Sequence, residues 1–189
     1  MIKLPIRDQL FSHAHSSSSH FKPAHFEWDR SLLKDYVFLT DRNIHEYNNY
    51  PGVKKYLWLV ESPAITPDAY AFARQNPGLF DKIFTHTKDL AALPNGELLP
   101  IGGCHLKEED IRLDHPKTKL ISMMYSHKNW VGGHKWRHDV ADFCKSRVEL
   151  MGSALSGQHI EKGEACRDFK FQIVVENCKE DYYFTEKII

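Results

Sequence analysis

Short apolar runs alternate with a helical pattern along the first half of the chain, and this order limits the fold more than any other feature. The segments 35–40 (DYVFLT), 56–60 (YLWLV) and 80–85 (FDKIFT) are typical of buried strands. Between the last two, residues 67–75 suit a helix with Thr66 as its cap. Because strand, helix and strand in this order require a crossover, the pattern predicts an α/β fold with a parallel sheet.

A second α/β unit is predicted after the charged, apolar-poor stretch 107–117 (KEEDIRLDHPK). Its elements are a strand, a helix, a short strand and a final strand, at 119–125, about 134–146, 148–151 and 169–175. Four side chains on one face are expected to pack this helix on the sheet: Trp136, Val140, Phe143 and Cys144. The predicted domains are therefore residues 1–115, with 1–30 partly flexible, and residues 116–189.

The composition limits the partners and the compartment. Lysine and arginine number 25, as do aspartate and glutamate, so no global field favours nucleic acid or an anionic membrane, and any anion site must be local. The apolar runs are too short to span a bilayer, and the N-terminus lacks the apolar core of a signal peptide. The four widely spaced cysteines are expected to be reduced. We therefore expect a cytoplasmic protein with no membrane span.

The region near the N-terminus is rich in histidine and serine. His13, His15, His20 and His25 flank or follow a run of four serines. The His-x-His pair could supply two imidazole ligands to a metal, but flexible serine-rich flanks disfavour a preorganised site. A mobile surface loop is the preferred interpretation.

The segment 169–189 (FKFQIVVENCKEDYYFTEKII) joins a strand to a cluster of polar side chains. The strand ends at Glu176 and Asn177, and after a polar turn the residues 183–187 open a predicted helix. Ligands of open α/β sheets collect at the carboxyl ends of strands, and the start of a helix offers unpaired N–H groups to an anion. We therefore expect an anion site here, to which Lys187 adds a full positive charge.

The spacing within this segment resembles a family signature. The arrangement FxxxxENxxxxxYxTEK, from Phe171 to Lys187, is similar to the donor-site motif of the family 10 glycosyltransferases, the α-1,3/1,4-fucosyltransferases. Val175 stands where that family often has Phe. The residues that keep the family's spacing are Asn177, Tyr183, Thr185, Glu186 and Lys187. The resemblance implies a GT-B-like architecture of two Rossmann-like units, an acceptor domain followed by a donor domain, with the second unit incomplete.

The resemblance extends to earlier residues with lower specificity. The sequence WLVESP at 58–63 is similar to the surroundings of the family's acidic general base, which implies that Glu61 is the catalytic base. Ser126 and Arg137 match residues near the opening of the donor domain, and the resemblance implies that Arg137 faces the diphosphate.

The implied reaction moves fucose, or a related sugar, from GDP-fucose to a glycan hydroxyl with inversion. A carboxylate such as Glu61 can take the proton of the attacking hydroxyl, while Arg137 and Lys187 neutralise charge that develops on the β-phosphate. Because two cationic side chains supply this charge, no cofactor is required, and a divalent metal is possible without being implied. The remaining donor contacts are expected from Ser126, Asn177, Tyr183 and Glu186.

Each residue also has an ordinary structural interpretation. Glu61 could be a surface carboxylate at a strand end, Arg137 a solvated helix residue and Thr185 a helix cap. The chain stops two residues after Lys187, where members of the family continue, so we expect a donor domain that is truncated. A catalytically silent nucleotide-sugar or glycan-binding fragment is therefore the alternative function, and a structural α/β domain with a chance motif stays open as well.

Overall fold

A computed structural model describes residues 1–8, 25–100, 106–111, 114–185 and 187. These residues form a mixed α/β structure, with one sheet of six strands and one of three, and the strands of both are paired in parallel. This confirms the predicted α/β class with parallel sheets, which is consistent with Rossmann-like folds. Unit 1 comprises Met1–Gly103 with Glu180–Thr185, and unit 2 comprises Cys104–Lys179 with Glu186–Ile189. The domain boundary predicted at residue 115 lies within unit 2.

The sheet of unit 1 contains the strands expected from the sequence together with further ones. In chain order these are β1 (Ile2–Arg7), β2 (Phe26–Asp29), β3 (Tyr36–Thr40), β4 (Lys54–Trp58), β5 (Lys82–Thr85) and β6 (Gly96–Leu98). Their lateral order is β2-β1-β3-β4-β5-β6. The direction in which successive strands are added therefore reverses between β1 and β3. In open parallel sheets, ligands bind beyond the carboxyl ends of the strands at such a point.

Short helical segments connect these strands. The helix α1 (Pro67–Gln75) confirms the prediction with the same bounds, and Pro67 lies in the first turn, where its missing N–H leaves no bond unmade. Thr66 lies at the predicted N-cap position, but its side chain makes no capping hydrogen bond. Its N–H donates to the Ser62 carbonyl at 3.0 Å, so Thr66 closes the preceding turn instead. The other connections include a 3₁₀ helix at Asp41–Asn49, another at Pro77–Leu79 and the short α2 (Lys88–Ala91).

The core of unit 1 follows from the alternation of side chains along its strands. Val37 and Leu39 of β3 are 2% and 0% exposed and pack in one cluster with residues of α1. Phe38 lies between them in the sequence and is therefore directed to the other face, where its ring centroid is 5.3 Å from that of Tyr56. Burial of one such aliphatic side chain contributes about 1.5–3 kcal/mol. Both faces of the sheet are thus apolar, and polar groups collect where its strands end.

Unit 2 is built on a sheet of lateral order β8-β7-β9. Its elements are a 3₁₀ helix (Glu108–Asp110), β7 (Lys119–Met124), α3 (Gly132–Cys144), β8 (Glu149–Met151), α4 (Ser153–Ser156), α5 (Lys162–Cys166) and β9 (Phe169–Ile173). The strands and α3 lie close to their predicted positions. The Ser122 hydroxyl donates to the Ala165 carbonyl, which ties β7 to α5.

The buried face of α3 differs from the predicted one. Trp136 and Phe143 are 52% and 85% exposed, so the expected contact of these side chains with the sheet is wrong, while Val140 and Cys144 are half-buried. The buried residues are small or polar: Gly133, His134, Arg137 and Ala141. The first turn of α3 is hydrogen-bonded to the main chain beyond β9. Because the neighbour of α3 is main chain, a small residue and hydrogen-bond donors fit against it better than bulky apolar side chains do.

The prediction of a helix at 183–187 is wrong for the residues of this range that the structure describes, 183–185 and 187. From 174 to 185, and at 187, the chain forms turns and irregular backbone. Tyr182 has a φ of 60°, in the left-handed region that a right-handed helix does not use. Thr185 therefore caps no helix in the described part of the chain, and Lys187 does not lie in a first helical turn there.

Some expectations concern residues outside the described part of the chain. These residues are His13, His15, His20, the four serines, Cys104 and Glu186. Among the described residues, no helix combines the length and the apolar composition needed to cross a bilayer.

Candidate functional site

Glu61 lies beyond the carboxyl end of β4, and its main chain is held from two sides. Its N–H donates to Oδ1 of Asp41 at 3.1 Å, and its carbonyl accepts a hydrogen bond from the Tyr70 hydroxyl at 2.7 Å. The N–H of Val60 donates to the same Asp41 oxygen at 3.0 Å. Because Asp41 follows β3 and Tyr70 belongs to α1, two separate elements fix the backbone that carries the half-buried Glu61 side chain.

Asp41 is the most unusual acidic residue of unit 1. It is 1% exposed, and its φ of 41° lies in the left-handed region that few non-glycine residues adopt. Within the described residues its Oδ2 atom has no hydrogen-bond partner. Burial raises the pKa of Asp41 to about 7; the hydrogen bond from the Glu61 N–H opposes this shift, and the Glu61 charge adds to it. We call Asp41 and Glu61 the carboxylate pair.

His86 directly follows β5 and is buried beside two tyrosines. Its Nε2 lies 3.5 Å from the Tyr70 hydroxyl, and its ring centroid lies 5.0 Å from that of Tyr183. Burial lowers the pKa of His86 to about 4, so its imidazole is neutral at neutral pH. Tyr70 therefore links His86 to the main chain of Glu61. Tyr183, a predicted donor contact, packs in unit 1 at this place.

The stretch around Tyr183 is also tied to α2 at the surface of unit 1. Lys88 Nζ lies 2.5 Å from Oδ2 of Asp181 and 5.5 Å from the centroid of the Tyr182 ring. Both partners of this ion pair are largely exposed, and such pairs contribute little stability. The buried ring contact between Tyr183 and His86 is therefore the stronger anchor of this stretch.

In unit 2, α3 holds the backbone that leaves β9. The Arg137 guanidinium donates to the Val175 carbonyl from Nη2 at 2.6 Å and from Nε at 3.2 Å, and Nη2 also donates to Asn177 Oδ1 at 3.1 Å. The Gly133 N–H donates to the Asn177 carbonyl at 3.0 Å. A Cβ at Gly133 would lie 2.0 Å from the Glu176 carbonyl oxygen, so only glycine permits this approach. Two predicted donor residues, Arg137 and Asn177, are thus in direct contact.

A set of positive groups surrounds this turn. His134 is 3% exposed, and its Nδ1 has no hydrogen-bond partner among the described residues. Burial lowers the pKa of His134 most, followed by the charges of Arg137 and Lys128; Lys187 also lowers it, while a hydrogen bond with Asn177 raises it. We call the cationic side chains of Lys128, Arg137 and Lys187, together with the buried His134 on which they act, the cation cluster. The three cationic side chains are close enough to His134 to disfavour its protonated form.

An acidic side chain and an aromatic ring lie beside the two lysines of the cation cluster. Lys187 Nζ lies 3.5 Å from Glu176 Oε2, in a pair whose side chains are 23% and 14% exposed. The Lys128 ammonium lies 5.4 Å from the Trp130 ring centroid, and this ring contacts His134 edge to face at 5.1 Å.

The other two predicted donor contacts in this part of the sequence are Ser126 and Glu186. Ser126 is half-buried two residues beyond β7. Glu186 lies outside the described residues.

Sequence reasoning missed three residues of these arrangements: Asp41, His86 and His134. Asp41 and His86 each directly follow a strand, which is a signal that could have drawn attention to them. His134 follows Gly132 and Gly133 at the start of α3, where a polar residue meets the positive end of the helix.

Neither a metal-binding group among the described residues nor a similar protein indicates which reaction or ligand these side chains serve. The described residues hold no group of three histidine, cysteine or acidic side chains that could bind a metal ion. No protein-family model, no curated protein and no solved structure matches the chain.

Proposed function

We propose that the chain is a glycosyltransferase of fucosyltransferase type, which transfers fucose or a related sugar from GDP-fucose to a glycan hydroxyl with inversion. The single observation that carries the proposal is the cation cluster of unit 2. Arg137 was selected from one stretch of sequence and Asn177 and Lys187 from another by their resemblance to one family, and all three act on His134 or on the turn beside it. A GT-B-like arrangement of the two parallel-sheet units belongs to this proposal.

The cation cluster suits a nucleoside diphosphate for electrostatic reasons. Lys128, Arg137 and Lys187 all disfavour a charge on His134, so a proton on this imidazole is repelled by the positive charges around it. A bound diphosphate reverses that repulsion and also disperses the charge that develops as the sugar leaves. Lys187 is a compact charge on a flexible stem, which suits a phosphate that changes its charge during the reaction.

Arg137 serves this site in two ways. Its hydrogen bonds to Val175 and Asn177 fix the turn that carries Glu176 and Asn177, and its positive charge lies within the cluster. In the proposed enzyme, Asn177 and Ser126 add neutral hydrogen bonds to the donor, and Glu186 accepts bonds from its hydroxyls. Tyr183 is proposed as a donor contact on the motif alone.

Glu61 is the proposed general base. Transfer with inversion needs a carboxylate that takes the proton of the acceptor hydroxyl while the sugar bond breaks, and a positioned base contributes about 100 to 10,000-fold. The backbone of Glu61 is fixed by Asp41 and Tyr70, which sets the point from which its side chain extends. That rigidity favours a catalytic role over an ordinary surface glutamate.

Isothermal titration calorimetry with GDP tests the proposal. The informative variant is Lys187→Ala, because Arg137 also supports the backbone and its removal would disturb the fold. We expect wild-type protein to bind GDP and Lys187→Ala to bind at least about tenfold more weakly, since the variant leaves Glu176 beside the diphosphate. The matched control is Lys179→Ala, which removes an exposed lysine from the same stretch of unit 2 and should leave the affinity unchanged.

Each other outcome of this titration has a definite meaning. Wild-type protein that binds no GDP overturns the proposal and leaves a structural α/β domain with a chance motif. GDP binding that Lys187→Ala does not weaken removes the cation cluster as the donor site. GDP binding without transfer of labelled fucose to any glycan identifies a catalytically silent binding module.

A further inference from the structure

The link between Asp41 and Glu61 points to a residue that acts on the proposed base without touching a substrate. One Asp41 oxygen accepts the N–H groups of both Val60 and Glu61, at 3.0 and 3.1 Å. These two residues form the exit from β4, beyond its last residue, Trp58. A single acceptor therefore sets the direction of the main chain at the point where the Glu61 side chain leaves it.

Asp41 holds this position at a local cost. Its φ of 41° is unfavourable for a residue with a side chain, and its carboxyl group is buried with only 1% of the residue exposed. Strained, buried polar residues of this kind cluster at functional sites, where the surrounding structure enforces them.

Asp41 also lies at the point where the strand order reverses. It directly follows β3, whose neighbours are β1 on one side and β4 on the other. The Thr40 hydroxyl donates to the Arg7 carbonyl at 3.3 Å, which ties the end of β3 to the end of β1. The anchor for Glu61 is thus attached at the point where the strand order reverses.

We infer that Asp41 is the positioning residue for Glu61, holding the backbone of residues 60 and 61 so that the Glu61 carboxylate meets the acceptor hydroxyl. The pKa of Asp41, raised to about 7 by burial, agrees with this role, because about half of this carboxyl is uncharged at neutral pH and the uncharged form does not repel the Glu61 carboxylate. The inference rests on the proposed function, since it assigns Asp41 a role in the reaction of Glu61.

Two substitutions at Asp41 separate positioning from general stability. Asp41→Asn keeps an acceptor oxygen and tolerates the left-handed φ, while Asp41→Gly keeps that backbone conformation and removes the acceptor. We expect Asp41→Asn to retain kcat within about threefold. We expect Asp41→Gly to lose about 10 to 100-fold in kcat, with KM for GDP-fucose and the affinity for GDP unchanged, because a misplaced base slows the chemical step alone.

A double variant gives the sharpest form of the test. If Asp41 acts through Glu61, then Asp41→Gly costs nothing further once Glu61→Gln is present, so the two losses in kcat do not add. Amide hydrogen exchange by NMR gives a second readout. The N–H groups of Val60 and Glu61 should exchange faster in Asp41→Gly and at the wild-type rate in Asp41→Asn.

Several results would overturn the inference. Additive losses in the double variant, a kcat for Asp41→Gly equal to that of wild type, or a folded Asp41→Asn that has lost activity would each do so. The last result applies even if Asp41→Gly fails to fold. Wild-type protein with no transfer activity overturns the proposed function and the catalytic role of Asp41 together, whereas unchanged exchange at Val60 and Glu61 in active protein overturns the inference alone.

Discussion

The carboxylate pair of unit 1 and the cation cluster of unit 2 manage buried charge in opposite ways. Asp41 is held by main-chain N–H groups, and burial favours its neutral form. In the cation cluster, three permanently charged side chains act on one buried histidine, and Glu176 pairs with Lys187. Unit 1 thus holds an acid whose surroundings favour a proton, whereas unit 2 holds positive charges whose surroundings favour an anion.

Under the proposed function, the two regions have different tasks. A base needs one carboxylate that extends in a fixed direction. The hydrogen bonds from the main chain of Val60 and Glu61 to Asp41 fix the point from which the Glu61 side chain extends. A leaving diphosphate needs charge compensation that can follow a change in charge, which several cationic side chains supply. Substitutions should therefore change pH dependence and turnover in unit 1, and anion affinity in unit 2.

The largest effect on stability is expected from the ionisation of Asp41 as the pH rises. Because its pKa is raised from 3.8 to about 7, the folded chain holds the proton more tightly than the unfolded chain does. The resulting stability is complete below about pH 4 and is lost as the pH rises through about 7. Relative to Asp41→Asn, which cannot ionise, wild type should lose up to about 4 kcal/mol between pH 4 and pH 8.

Urea unfolding at several pH values, followed through NMR signals of Leu39 and Leu57 in unit 1, measures this difference. Asp29→Asn is a control of opposite sign. Hydrogen bonds from Ser31 lower the pKa of Asp29, so Asp29 favours the folded state at higher pH. A constant difference in stability between wild type and Asp41→Asn across this range would contradict the raised pKa of the buried Asp41.

A smaller effect on stability is expected in unit 2 from Gly133→Ala. The added methyl group would meet the Glu176 carbonyl oxygen at 2.0 Å, so α3 must move away from the chain beyond β9. We expect a loss of roughly 1–3 kcal/mol in the free energy of unfolding, together with weaker GDP binding. Gly132→Ala is the matched control, because a Cβ there meets no atom within 4 Å. Equal stabilities of the two variants would show that the close approach at Gly133 is not needed.

The smallest expected effect is a change in the pKa of a histidine when GDP binds, and it differs between His134 of unit 2 and His86 of unit 1. Bound GDP should raise the pKa of His134, because the diphosphate offsets the charges of Arg137, Lys128 and Lys187 that lower it. The pKa of His86 should stay near 4, because burial sets it. NMR titration of the imidazole signals with and without GDP measures both. A shift of His86 with no change at His134 would place the anion away from the cation cluster.

The strands of unit 1 were predictable where the sequence pattern is strong. Alternation in β3 and the apolar run of β4 predict strands, and the bounds of α1 follow from Pro67 and the residues after it. The strand β1 was not predictable in the same way, because Pro5 within it argues against a strand. The strand β6 has three residues, too few to show a period.

The candidate sites were less predictable because their geometry depends on tertiary contacts. Apolar periodicity selected Trp136 and Phe143 as the buried face of α3, yet the helix packs on main chain and buries Arg137 and His134. The pattern showed Glu61 as a strand-end carboxylate but gave no sign that Asp41 would accept its N–H. Such a contact joins residues 20 positions apart and appears only once the strands are paired.

Transfer of labelled fucose from GDP-fucose to a broad glycan array tests the central claim most directly. It should be measured for wild type, for Glu61→Gln, and for Glu97→Gln as a control that alters an exposed glutamate of the same unit. We predict transfer by wild type and by Glu97→Gln, and about 100 to 10,000-fold less by Glu61→Gln at unchanged GDP affinity. Transfer by Glu61→Gln at the wild-type rate, or none by any of the three proteins, would contradict the account.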